Sequence, residues 1–418
     1  MRVLHLVHQY PPDHIGGTEH YTRTVAERVV DAGHDVGVVT RTSRAGQGVE
    51  RSEENGVTIY RVWQGAPSPN QRYLASFATG QLLALFEQAI ADFRPDLVHV
   101  QHLMGLPASL LMRLNIAQIP YIITLHDYWW VCANAQLLTN YSDTVCDGPK
   151  GHLNCTHCAV ARAGAPAWLL APALWGSLRL RGRFLVKGLQ RAHALLASTP
   201  FVAQWYQAHG APAARLRLLP FGIDLPPNFA PTRTRAKPLQ VAYLGGLAWQ
   251  KGVHVVVDAC LGLEGEVELW IAGGAAEDAG YDVRLRINAG SHIHFLGQLE
   301  RAAVWDLLAR VDVVVVPSLW YETYSYLLHE ALAAGIPVVA SRLGVMAEAI
   351  TDGVNGLLVP PGNVEAWRAA LQHLASDPAL VARLAETIQP LPTMEAHVAG
   401  LLAIYQDAIA AAPTLSNI

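Results

Sequence analysis

"PSLWYETYSYLLHEALAAGIPVVASRLG", residues 317–344, contains the end of an apolar strand, a turn, a helically spaced run that stops at Gly335, and a second apolar strand over 337–341. Strands this apolar have no polar face to give to water, so strand, helix and strand in this order read as one crossover unit of a parallel sheet. The same alternation extends outward through the second half, where 239–244, 267–272, 292–296, 312–317 and 357–359 read as strands. The first half repeats it with 3–7, 35–40, 57–62, 97–100, 121–125 and 195–198, and with a helix over 19–32 that Gly33 closes.

At 418 residues the chain exceeds the size of a single hydrophobic core, so two domains are expected. Between them the pattern lapses into "LPPNFAPTRTRAKP", residues 225–238, which sets the boundary. The reading is therefore a doubly wound domain over 1–225, a second over 226–390, and a closing segment 391–418 whose helix packs back on the first. Two such sheets are expected to turn the carboxyl ends of their strands toward a shared central cleft, the usual place for a ligand.

Hydrophobic residues make up 51% of the chain and charged residues 15%, the balance of an ordered protein with covered sheets. The formal net charge of -4 and the lack of a dense Lys/Arg run leave no footprint for nucleic acid. The first ten residues read as a buried strand and not as a leader, and no apolar run is long enough to span a bilayer, so a cytoplasmic protein is expected. One segment, 166–187, sets Trp168, Leu169, Leu170, Leu174 and Trp175 before Arg179, Arg181, Arg183 and Lys187. It can lie peripherally on an anionic membrane face, or pack as a helix with its cations in water.

In the opening stretch Glu322 stands at or just before the expected helix start and Glu330 about two helical turns later. A diphosphate at such a helix start would meet backbone amides near Thr323, Tyr324 and Ser325, and the two carboxylates could accept hydroxyls on either side of it. The plainer alternative makes Glu322 a cap and Glu330 a solvated face residue. "LGGLAWQKG", residues 244–252, puts Gly245, Gly246 and Lys251 in a Gly-rich loop after a strand, and "IAGG" ends the next strand with Gly273 and Gly274. Lys251 is either a phosphate ligand or an exposed turn lysine.

On the first domain, "HQYPPDHIGGTEHY", residues 8–21, places His14, Gly16 and Gly17 before a helix beginning near Thr18, a loop that lets backbone approach an anion. Thr18 could equally cap that helix. "TLHDYWWVC" delivers His126 and Asp127 at the carboxyl end of a strand, although a lone histidine is more often structural.

Glu322, seven residues and Glu330, followed by "AAGIPVVAS", resembles the signature of the family-four retaining glycosyltransferases, glycosyl transferases group 1, of GT-B fold. The resemblance extends along nearly the whole chain, and "DGVNGLLVPPGN" at 352–363 is part of it. It implies retaining transfer of a sugar from a nucleotide-diphosphate donor, UDP, GDP or another, to a glycan, glycolipid or small-molecule acceptor in polysaccharide or glycoconjugate assembly. It makes His126, Glu322 and Lys251 the candidate catalytic residues. Donor binding then falls to Gly16, Gly17, Gly245, Gly246, Lys251, Gly273, Glu322, Thr323, Tyr324, Ser325 and Glu330, with His14 and Asp127 toward the acceptor. Two departures stand out: Gly246 replaces the family's loop arginine, and Tyr324-Ser325 replaces its Phe-Gly. Neutralisation of the leaving diphosphate by helix dipole and Lys251 implies no metal cofactor for transfer. A sugar-nucleotide binder without activity is the alternative; a dehydrogenase is disfavoured because no G-x-G-x-x-G follows a strand.

Cys132, Cys146, Cys155 and Cys158 crowd into an excursion over 132–158. In a cytosolic enzyme such a group suits a structural tetrahedral zinc better than disulfides, with reduced thiols and redox chemistry as the other readings. Cys260 stands apart as a packing residue.

Overall fold

The computed structural model describes every residue except 15, 45, 47, 65–67, 78–79, 165–166, 234–236, 275–278 and 413–418. The loop 8–21 at residue 15, the linker at 234–236, the segment 166–187 at residue 166 and the end of the closing segment reach outside that description. The chain divides into two compact units, Met1–Phe221 with Met394–Ile418, and Gly222–Thr393.

The first unit contains β1 (Arg2–Leu6), β2 (Asp35–Thr42), β3 (Val49–Glu54), β4 (Val57–Trp63), β5 (Leu97–Val100), β6 (Tyr121–Thr124), β7 (Ala194–Ala197) and β8 (Leu216–Leu218). They form one sheet in the order β3-β4-β2-β1-β5-β6-β7-β8, parallel except where β3 turns back on β4. The second unit contains β9 (Leu239–Leu244), β10 (Val267–Ala272), β11 (Ile293–Gly297), β12 (Val313–Val316), β13 (Val338–Ser341) and β14 (Gly356–Val359), in the order β11-β10-β9-β12-β13-β14 and wholly parallel. Among the parallel strands of each sheet the order reverses once, between β1 and β5 and between β9 and β12. That reversal is the switch point at which doubly wound sheets open a crevice for ligands.

Burial explains the strand composition. β12 is four consecutive valines, all buried, because helices cover both of its faces. On one face, Val255 and Val256 of the helix Val253–Cys260 and Trp367, Leu371 and Leu374 of the helix Val364–Ser376 join Val241, Leu269 and Val315 in a single core. Cys260 lies in that core.

β3 and β8 escape the sequence reading. β3 is "VERSEE", an edge strand with mostly exposed side chains, and β8 is three residues at the opposite edge. Edge strands lack the two-sided burial that makes a strand legible as an apolar run. The helix Met394–Ala410 belongs to the first unit, where it packs on the helix Gly17–Asp31 and on β5. Its Tyr405 hydroxyl lies 2.7 Å from His99 Nδ1 on β5.

Candidate functional site

In the second unit the loops after β9, β10 and β12 press together backbone to backbone. A Cβ on Gly273 would overlap the carbonyl of Gly245, and one on Gly252, whose φ is +70°, would overlap that of Pro317. The Gly245 amide donates to Ala272 O at 2.9 Å and the Leu319 amide to Gln250 O at 2.8 Å. Glycine is required at these contacts because the carbonyls occupy the space a side chain would need.

This packing carries Lys251 and Glu322 together across the β9/β12 switch point. Lys251 Nζ donates to Glu322 Oε1 at 2.8 Å. The same oxygen accepts Ser318 Oγ–H at 2.8 Å and Trp320 Nε1–H at 3.0 Å. Glu322 is only 6% exposed, whereas the Lys251 side chain stays partly open and lies 5.3 Å from the Trp320 ring centroid. Three donors on one oxygen fix the carboxylate, and through it they aim the ammonium.

The helix begins later than its sequence suggests. It spans Tyr326–Ala333 with Ser325 as N-cap, so Glu322 stands in the loop ahead of it and does not cap it. The two-turn spacing of Glu322 and Glu330 is therefore not a helical one. Ser325 caps without a side-chain bond and holds φ 56°, the left-handed region where the resembling family has glycine. Tyr324 is buried in a stack on His329, with ring centroids 3.8 Å apart, and Thr323 is half-buried between these anchors. Burial lowers the His329 pKa to about 4. Glu330 is buried on the same helix and meets Arg301 Nη1 at 2.6 Å. Burial raises its pKa, and Arg301 pulls the other way. Gly246 sits in the loop with open space where a Cβ would be.

In the first unit, Gly16 is the extended N-cap of the helix Gly17–Asp31, and Gly17 is its first residue. Thr18 lies inside the helix and is not its cap. Glycine at 16 leaves room for Glu19, since a Cβ there would overlap the Glu19 carboxylate. Glu19 is buried, with His8 Nε2 3.6 Å from its Oε1, and burial raises its pKa. His14 is exposed.

His126 and Asp127 follow β6, as the sequence places them, but each is tied to a histidine network at the β1/β5 switch point. His126 Nε2–H donates to Gln101 Oε1 at 2.7 Å, and Gln101 Nε2 faces His5 Nδ1 at 3.0 Å and His99 Nδ1 at 3.2 Å. His102 Nδ1 accepts the Met104 amide, so its Nε2–H donates to Asp127 Oδ2 at 2.9 Å. The Trp129 amide takes Asp127 Oδ1 at 2.8 Å. The rings of His8 and His102 lie 4.4 Å apart. Burial holds His8, His99 and His126 neutral, with pKa values well below 6.5. His8, Glu19, Gln101 and His102 were not singled out in the sequence. The signal was available, because His8, Gln101 and His102 follow their strands as His126 follows β6.

Burial raises the pKa of Cys132, Cys155 and Cys158, that of Cys155 to about 12, and neighbouring cysteines add to each rise. Cys158 Sγ accepts from the Asn140 amide and Asn134 Nδ2, and Cys146 Sγ from Asn154 Nδ2. Among the described residues no group of three or more His, Cys, Asp or Glu is arranged to hold a metal ion.

The "Glycosyl transferase 4-like domain" model matches residues 16–222, and the "Glycosyl transferases group 1" model matches residues 226–389. The chain belongs to the group 1 glycosyltransferases. Among its relatives, this glycosyltransferase is 26% identical to the glycogen synthase of Mycobacterium tuberculosis, over 92% of the chain and 88% of the relative. It is 27% identical to the D-inositol 3-phosphate glycosyltransferase of an Arthrobacter species, over 87% and 83%. In fold it resembles sucrose-phosphate synthase from Thermosynechococcus elongatus, with TM-score 0.73, 21% identity and coverage of 98% and 99%. It also resembles Anabaena HepE solved with UDP-glucose, with TM-score 0.65, 19% identity and coverage of 100% and 99%. The glycosyltransferase thus has the GT-B fold, each unit contributing one Rossmann-like sheet.

Proposed function

We propose that this glycosyltransferase moves a sugar, with retention of anomeric configuration, from a nucleotide-diphosphate donor to a glycan, glycolipid or small-molecule acceptor in polysaccharide or glycoconjugate assembly. The observation that carries the reading is the Lys251–Glu322 bridge at the β9/β12 switch point, beside the start of the helix Tyr326–Ala333. The second unit then binds the donor. Lys251 and the amides around Ser325 face the diphosphate, Glu322 the sugar hydroxyls, and Glu330, steadied by Arg301, the ribose.

The first unit supplies the sugar- and acceptor-side groups. His126, neutral and oriented by Gln101, hydrogen-bonds the transferred sugar; it is not a nucleophile. Asp127 orients His102. Transfer runs through an oxocarbenium-like transition state in which the leaving phosphate takes the acceptor proton, so stabilising that phosphate is the main catalytic contribution. Helix dipole and Lys251 provide it, and the reading requires no cofactor.

None of the five cysteines forms a disulfide, which supports residence in the reducing cytoplasm. The four-thiol group is then a hydrogen-bonded part of the fold, and a full equivalent of zinc in the purified protein would overturn this. A lipid-linked acceptor would draw the enzyme to the inner membrane face as a peripheral protein; no helix among the described residues is long and apolar enough to cross one.

UDP is the first base to test, because HepE has been solved with UDP-glucose. The test is to incubate the protein with nucleotide sugars and follow the anomeric proton of the released or transferred sugar by NMR. Retained configuration supports the proposal; inverted product contradicts it. Gly246 in place of the loop arginine favours one rival, a binder without turnover, and in that case nucleotide diphosphates stabilise the protein but no donor is consumed.

A further inference from the structure

A turn of helix over Ala167–Leu170 leads into the long helix Ala171–Arg191 in the first unit. Trp168, Leu169 and Leu170 are 66, 63 and 61% exposed. Three large apolar side chains in succession, all facing water, are not the scattered exposure of an ordinary surface. Leu153, at the start of the neighbouring helix Leu153–Ala163, is exposed too.

The exposed stripe of the long helix continues from this tip at helical spacing. It runs through Gly176 and Leu180 to Arg183, Lys187 and Arg191, all exposed, while Leu178, Leu185 and Leu189 face the core. Arg181 does not belong to the stripe: it is buried, donates to Trp129 O at 2.7 Å and lies over the Trp129 ring. The surrounding sequence is one-sided in charge. Residues 148–223 contain nine Lys and Arg and no Asp or Glu, in a chain whose formal net charge is -4.

We infer that this face docks on an anionic lipid surface, with Trp168, Leu169 and Leu170 entering the boundary between headgroups and acyl chains and Arg183, Lys187 and Arg191 set against lipid phosphates. The charge decides the occupant. An acid-free apolar tip continued by a cationic stripe complements a sheet of negative headgroups, and tryptophan is suited to that depth, with an apolar body and a polar N–H. The inference stands apart from the donor assignment, since lipid binding is read without any sugar nucleotide.

The test is sedimentation of the full-length protein with vesicles of phosphatidylglycerol mixed with phosphatidylcholine, and with phosphatidylcholine alone. At low salt the protein sediments with the first and hardly with the second, and added salt weakens the binding. Trp168→Ser/Leu169→Ser/Leu170→Ser loses roughly a hundredfold or more in partitioning. Arg183→Gln/Lys187→Gln loses about thirtyfold, as expected for two surface cations. Both variants keep the wild-type melting temperature because the altered side chains are exposed. No sedimentation of the wild type with the anionic vesicles overturns the inference, and so does equal sedimentation of the triple variant. A wild-type dimer that ignores lipid and is dissociated by the triple variant also overturns it, and assigns the face to a second copy of the chain.

Discussion

Ser325 holds a left-handed conformation that costs an L-residue about 1–2 kcal/mol, and the loop around Tyr324 and His329 keeps it there. Ser325→Gly should remove that strain at some cost in unfolded-chain entropy, for a net gain of roughly 0.5–1 kcal/mol. A lowered denaturant midpoint would contradict this. Gly246 offers the complementary case, since its Cβ direction is open and its φ is ordinary. Gly246→Arg should fold as wild type and bind nucleoside diphosphates about tenfold more tightly, the worth of one charge-assisted hydrogen bond; unchanged affinity in calorimetry would place the phosphates elsewhere. At this scale Lys251, Glu322 and His126 are legible because each follows a strand or a Gly-rich loop. The engagement of Glu330 by Arg301 and of His126 by Gln101 is not legible, because those partners come from other strands and helices, and only the sheet order brings them together.

The loops after β9, β10 and β12 act as one packed unit. Gly273→Ala should cost about 1–3 kcal/mol, because the Gly245 carbonyl must move, and should displace Lys251 with it. Its expected signature is a lowered melting temperature together with lost stabilisation by nucleoside diphosphates; a loss of neither would sink the packing account. The central strands are readable as runs of buried β-branched residues, as in β12. β3 and β8 are not, because an edge strand needs only one apolar neighbour. The start of the helix at Tyr326 is also hidden, since Ser325 caps by backbone conformation and not by a side-chain bond.

Across the whole molecule the buried histidines set the response to acid. His8, His99 and His126 titrate well below 6.5 when folded, His5 at about 3 and His329 at about 4, all through burial. Unfolded, each takes a proton near pH 6.5, so below that value the unfolded chain binds more protons than the fold. Stability should therefore be level above pH 6.5 and fall beneath it, by roughly 1.4 kcal/mol per pH unit for each such histidine, until its folded pKa is reached. Glu19 and Glu330, whose pKa values are raised, work in the opposite sense below their folded values and offset part of the loss. Denaturant titrations between pH 7 and pH 5 check the slope, and a flat profile would show these imidazoles to be solvated.

The proposed donor site lies beside Lys251 and the first turn of the helix Tyr326–Ala333. It is tested most directly by a crystal structure with the nucleoside diphosphate that stabilises the protein most. The account predicts phosphate oxygens within hydrogen-bond distance of Lys251 Nζ and of the amides around Ser325. Phosphates bound away from both would contradict it.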